Sequence, residues 1–201
     1  MIRAPQYAQL QHNLFLLLSN GDSSCKKFFA ACEEMDLDVV IKSRDMRDDY
    51  AGLTLLHEAS RFGYSSAVQY LLNAGHAIDI LDSSVSGVTP LMEAIMANHI
   101  DTVGMLVKCG ASLTHQDVRG ENAFHYAARS GSRIVKCLIR NCALSKDQIQ
   151  GAVCVTNVKL KFPEDVAINS LTKEVLVSLR ERGHAVVNSR AKVTTSKRSK
   201  R

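Results

Sequence analysis

Apolar residues in the middle of this chain fall into paired short blocks, and the pair recurs. Residues 52–63 read GLTLLHEASRFG, residues 87–98 read GVTPLMEAIMAN, and residues 120–131 read GENAFHYAARSG. Their leading glycines stand 35 and then 33 residues apart. In each first block the apolar positions Leu56 and Ala59, Leu91 and Ala94, Phe124 and Ala127 predict one buried face of a short helix. The small alanines allow neighbouring helices to approach closely. A turn follows at Gly63, Asn98 and Gly131, residue types that accept positive φ at low cost. A second helix is then predicted from apolar residues three and four apart: Val68, Leu71 and Leu72; Val103, Leu106 and Val107; Ile134, Val135, Leu138 and Ile139. Gly75 and Gly110 end the first two of these, whereas the third copy has Asn141-Cys142 at that place. The Asp- and Ser-rich stretch that follows suits a turn or hairpin leading into the next unit. A fixed period of this size marks a solenoid, in which each unit buries its apolar face only against its neighbours.

The pattern resembles the ankyrin repeat. The family's T-P-L-H-x-A motif is matched by Thr54-Leu55-Leu56-His57-Glu58-Ala59, by Thr89-Pro90-Leu91-Met92-Glu93-Ala94 and by Asn122-Ala123-Phe124-His125-Tyr126-Ala127. The later Gly-Ala of the family stands as Gly75-His76-Ala77 and Gly110-Ala111. The resemblance implies an all-α solenoid of stacked helix-turn-helix units with short β-hairpin loops. It is clearest over residues 45–143, within a repeat domain of about five units spanning 25–183. Residues 26–44 and 162–183 are read as degenerate end units, with residues 144–161 an insertion in which 146–152 has room for a helical turn. Residues 1–24 are expected to hold a capping helix, from Leu10, Leu14, Leu17 and Leu18 at helical spacing. Leu55 and Ala123 replace the family's proline, and Met92 replaces its histidine. The Thr-His network of the family is then complete only in the first copy, and looser middle and third hairpins are expected.

Composition narrows the rest. A chain of 201 residues that is 46% hydrophobic can bury a substantial core. The longest apolar run, 14–18, is far too short to span a membrane, and no secretory signal pattern is present. The six cysteines form no CxxC pair, which argues for reduced thiols and a cytoplasmic or nuclear setting, and against a zinc site. The net charge of +5 is unevenly spread: the first 110 residues are net acidic and the remainder strongly basic. The end of the chain, 184–201, carries cations and no acidic residue after Arg182, and is expected to be disordered. Its cluster Lys197, Arg198, Lys200 and Arg201 has three readings: a nuclear import signal, a nonspecific nucleic-acid contact, or only a solubilising end or the edge of a larger protein.

No catalytic or cofactor motif emerges. His57-Glu58 lacks the second histidine of H-E-x-x-H, and there is no phosphate-binding glycine loop and no G-x-S-x-G. We therefore expect no enzyme activity, no cofactor and no metal. The resemblance implies binding of another protein along a concave groove lined by hairpin tips and first helices. Repeat position puts Tyr50, Leu53, Arg61 and Phe62 there from the first copy, Val85, Val88 and Met96 from the second, and Val118, Arg119, Glu121 and Arg129 from the third. The position after the family histidine holds Glu58, Glu93 and Tyr126. Two carboxylates one repeat apart suit the Lys or Arg of an extended basic segment, with Tyr50 and Phe62 covering its stem. Against this stands the simpler reading of two solvated helix-start glutamates favoured by the helix dipole. A regulatory or substrate-recruiting part of a larger enzyme is the alternative function. Nucleic-acid contact through the basic half is disfavoured, since that half has no recognition motif and few aromatics.

Overall fold

The computed structural model describes residues 13–17, 25–33, 52–82, 86–141 and 146–182. The expectations for Tyr50 and Val85, for the second helix of the first end unit and for the basic end of the chain lie outside these residues. After helical residues 13–17 come α1 (Lys26–Glu33), α2 (Leu55–Arg61), α3 (Ser65–Asn73), α4 (Pro90–Met96), α5 (Ile100–Lys108), α6 (Ala123–Ser130), α7 (Ser132–Asn141) and α8 (Lys146–Val153). A 3-10 turn, Pro163–Val166, and a last helix over 170–182, α9, complete the described chain. No strand is formed among the described residues.

The helices form two layers. First helices pack on first helices (α2 on α4, α4 on α6) and second helices on second helices (α3 on α5, α5 on α7). The sequence explains the close stacking: Ala59, Ala94 and Ala127 occupy equivalent positions, and none has any exposed surface. Leu56, Leu91 and Phe124 fill the space between the layers with Val68, Leu71, Val103, Leu106, Ile134 and Leu138, all fully buried. Each such large side chain contributes roughly 1.5–3 kcal/mol on leaving water.

The turns within each pair follow from backbone conformation. Gly63 has φ +76° and Asn98 φ +61° at equivalent places, in the left-handed region. Gly63 is also sterically fixed, because a Cβ there would stand 2.5 Å from the His99 ring.

The start of each first helix is capped from within the motif. Thr54 accepts from the His57 N–H at 3.4 Å, and His57 Nδ1 returns a bond to the Thr54 N–H at 3.2 Å. That leaves Nε2 as the donor to the Val88 carbonyl of the next unit, at 3.0 Å. The third copy corrects the expectation of an incomplete network there. Asn122 replaces threonine yet accepts from the Phe124 and His125 N–H groups at 3.1 and 3.3 Å. His125 Nε2 lies 3.1 Å from the Lys161 carbonyl, and the Asn122 amide donates to the Ala152 carbonyl at 2.7 Å. Asparagine serves as well as threonine because the carboxamide oxygen reaches the same orphan N–H groups. Only the middle copy lacks the link, because buried Met92 has no polar atom to send across.

Residues 144–161 do more than insert. α8 packs on α6, and the Asn157 N–H bonds the Lys161 carbonyl as Asp82 bonds Val88 and Asp117 bonds Glu121. The end of the described chain is tied down by Glu164, buried and paired with Arg180 at 2.5 Å, while the Arg180 guanidinium lies 4.7 Å from the Phe162 ring centre.

Candidate functional site

The loops between units project as three short reversals. In each, one polar side chain gathers the backbone N–H groups of the turn. Asp82 Oδ1 accepts from Val88 at 3.1 Å, Asp117 Oδ1 from Arg119 and Glu121 at 2.9 and 2.8 Å, and Asn157 Oδ1 from Lys159 and Lys161 at 2.9 and 3.1 Å. The reversals close through Asp82 N–H to Val88 O, Asp117 to Glu121 and Asn157 to Lys161, at 3.0–3.2 Å. They are joined to one another by Val118 N–H to Ser86 O, 3.1 Å, and Val158 N–H to Arg119 O, 2.9 Å. The hairpin loops are therefore stacked and cross-linked, although none builds a strand. Sequence reasoning missed these three anchors. Asp117 and Asn157 each stand six residues before the next helical element and Asp82 eight, so the register of the clear copies does not align Asp82 with Asp117.

A dense polar network is built on the second reversal, 117–121. The Tyr126 hydroxyl donates to Asp117 Oδ2 at 2.7 Å and accepts from Arg119 Nη2 at 2.6 Å. Arg119 Nε reaches Asp117 Oδ2 at 3.1 Å, and its guanidinium lies 5.6 Å from the Tyr126 ring centre. Buried Glu121 is gripped by both terminal nitrogens of Arg129, with Asn157 Nδ2 at 3.1 Å and Arg119 Nη2 at 3.6 Å. Burial opposes ionisation of both carboxylates, yet hydrogen bonds from Tyr126 and the backbone of Glu121 hold Asp117 below its usual range. Those from Arg129 and Asn157 do the same for Glu121. Burial and the bond to Asp117 push the Tyr126 hydroxyl up, so it stays protonated. Glu121, Arg119, Tyr126 and Arg129 are thus brought together, but they largely satisfy one another. Of this copy's expected residues, Val118 offers the most open apolar surface, at 60% exposed.

The second unit differs. Glu93 is partly exposed, and its carboxyl is pushed from 4.5 up to about 6. Burial is the main cause; Arg61 pulls the value down and Asp82 adds to the rise. The Arg61 guanidinium lies 5.7 Å from the ring centre of Phe62, which in turn stacks on Tyr64 at 5.9 Å. Met96 lies exposed at the far end of α4.

Glu58, one repeat earlier, has no exposed surface, and Leu53 and Val88 are also buried. The two glutamates expected to act as a pair therefore occupy unlike environments, one inside the stack and one at its edge. His57 and His125 serve as structural links between units. Among the described residues no group of three or more His, Cys, Asp or Glu is placed to hold a metal, and no helix is long and apolar enough to cross a membrane.

Comparison with known proteins places this geometry. Residues 14–117 match the family model described as ankyrin repeats (three copies). The mouse B-cell lymphoma 3 protein homolog is 38% identical over 96 residues, covering 47% of this chain and 21% of that protein. The bovine SMC5-SMC6 complex localization factor protein 1 is 34% identical over 84 residues, 41% of this chain and 8% of that protein. Ankyrin repeat protein nuc-2 of Neurospora crassa is 29% identical over 140 residues, 68% of this chain and 12% of that protein. The matched part of this chain therefore spans about a fifth or less of the length of these relatives.

Proposed function

Since the chain belongs to the ankyrin-repeat family, whose repeats generally mediate protein–protein contacts, we propose that it binds a basic linear segment of a partner protein at the inner face around Glu93. The observation that carries this reading is the state of the Glu93 carboxyl. It remains raised to about 6 although Arg61 acts on it, so nearby positive charge does not offset its burial. A lysine or arginine from a partner supplies that charge and a charge-assisted hydrogen bond. Phe62 and Tyr64 form an aromatic wall beside Arg61 that can cover the aliphatic stem of such a side chain. Glu58 is sealed from solvent and makes no first contact in this reading. Met96 and Val118 add exposed apolar surface along the same run of loops and first helices.

The test is a binding titration with a Lys/Arg-rich peptide probe. Glu93→Gln is expected to weaken it about tenfold to hundredfold, the worth of one charge-assisted hydrogen bond. Phe62→Ala weakens it with little change in salt dependence. Unchanged affinity in Glu93→Gln overturns the reading.

A second reading, a substrate-recruiting or regulatory module of a larger enzyme, is favoured by one observation: the relatives carry the matched region as a small fraction of much longer chains. The native mass of the cellular protein separates the two. The cluster Lys197, Arg198, Lys200 and Arg201 is proposed as a nuclear import signal, tested by whether its removal lowers nuclear accumulation.

A further inference from the structure

The outer layer holds a second surface of opposite character. α5 and α7 lie side by side, and the space along their seam forms an open groove of about 570 Å³. Its floor is made by Gly104, Met105 and buried Cys137. Gly104 allows the close approach: a Cβ there would meet Asn141 Nδ2 at 3.1 Å and Cys137 Sγ at 3.5 Å. Cys137 closes the floor by donating to the Ile100 carbonyl at 3.4 Å.

The rim is cationic. Arg133, Lys136 and Arg140 stand at i, i+3 and i+7 on α7, and Lys108 faces them from α5; all four are exposed. One carboxylate, Asp101, lines the same groove. Among the described residues none of the four cations forms an ion pair. Elsewhere in the described structure Arg119, Arg129 and Arg180 are each tied to a buried carboxylate. Like charges three and four residues apart on a helix cost a few tenths of a kcal/mol per pair. The row on α7 carries that cost, and Asp101 across the seam forms no ion pair with it among the described residues.

We propose that this groove is a second docking site, which takes an acidic segment of a partner protein with an apolar anchor residue. The carboxylates meet Lys108, Arg133, Lys136 and Arg140, and the anchor rests on the floor at Gly104 and Met105. From Arg133 to Arg140 the row rises about 10 Å along α7, the length of roughly three extended residues. A nucleic acid fits less well. No aromatic side chain lines the groove to stack on bases, and Asp101 would repel phosphates. The site is separate from the inner face at Glu93, so a single chain can hold a basic and an acidic segment on its two layers.

The test uses the full chain and a fluorescein-labelled peptide alternating Asp or Glu with Leu, followed by anisotropy. Two controls are the same peptide with Ser in place of Leu and a short oligo-dT. The parent is expected to bind the Leu peptide saturably, more weakly with added salt, and at least about tenfold more tightly than either control. The double variant Lys136→Glu/Arg140→Glu should lose about tenfold or more with an unchanged thermal melt, because both side chains are exposed. Lys108→Glu, on the facing helix, gives an independent reading should the double variant fold poorly. Glu93→Gln leaves this affinity unchanged while weakening the basic probe, which distinguishes failure here from failure of the inner-face reading. Equal binding by parent and charge-reversed chains, equal binding of the Ser peptide, tighter binding of oligo-dT, or no binding at all overturns the proposal.

Discussion

Proton linkage at Glu93 offers the sharpest test of the inner face. In the folded chain its carboxyl titrates near 6 instead of 4.5, because burial penalises the charged form. Folding therefore binds a proton more tightly than the unfolded chain does. Its contribution favours the fold at low pH and is lost as pH rises from about 4.5 through about 6. At pH 7 the penalty approaches about 2 kcal/mol, from a shift of about 1.5 units at 1.36 kcal/mol each. Glu93→Gln should consequently raise stability at pH 7 by up to about that amount and flatten the pH profile between 5 and 7. Binding runs the other way. If a partner's cation returns the carboxyl to about 4.5, the basic peptide binds about eightfold more weakly at pH 5 than at pH 7. Isothermal titration at pH 5, 6 and 7 at constant ionic strength measures this, with Glu93→Gln as the control for any titrating histidine. A parent affinity independent of pH, or an equal slope in the Gln variant, refutes the reasoning.

Other expectations follow from the packing. His57→Ala should cost about 1–3 kcal/mol in urea unfolding, because it removes the side-chain donor to a buried carbonyl in the next unit. Register places the Glu121 carbonyl opposite Met92 as Val88 is opposite His57, so Met92→His should slow amide exchange in the 117–121 reversal; unchanged exchange would show that the link does not form. Tyr126→Phe removes a bond to a carboxylate and should destabilise by about 1.5–3 kcal/mol near neutral pH. The loss should shrink in acid, since a depressed Asp117 contributes stability above its unfolded pKa that is lost as pH falls through the folded one. Gly63→Ala should lower the melting temperature, since it combines a positive φ with a clash against His99.

The repeat itself was legible because a solenoid writes its contacts at short, periodic range. Leu56, Leu91 and Phe124 are buried for the same local reason, so one reading served three units, and Gly63 and Asn98 marked the turns by backbone preference alone. The third cap was misread because the family motif favours threonine, whereas the helix needs only an oxygen within reach of two N–H groups, which Asn122 supplies. Residues 157–161 were passed over as part of an insertion: Asn157 stands six residues before Pro163 as Asp117 does before Ala123, but an amide at that place does not by itself announce that its Oδ1 gathers the N–H groups of the turn.

Sequence alone thus determined the architecture: the helix pairs, their turns, their stacking as a solenoid and the absence of a recognisable catalytic motif, all consequences of local pattern repeated along the chain. Tertiary structure decided the chemistry of each face. Glu58, Glu93 and Tyr126 share one repeat position, yet one is sealed within the stack, one is half-buried and hard to ionise, and one is locked between Asp117 and Arg119. The charge row on α7 was present in the sequence, but its lack of ion pairs among the described residues was not. Solvent access and the partners of a charged group depend on what the adjacent units and loops bring against it, and repeat spacing carries no information about that.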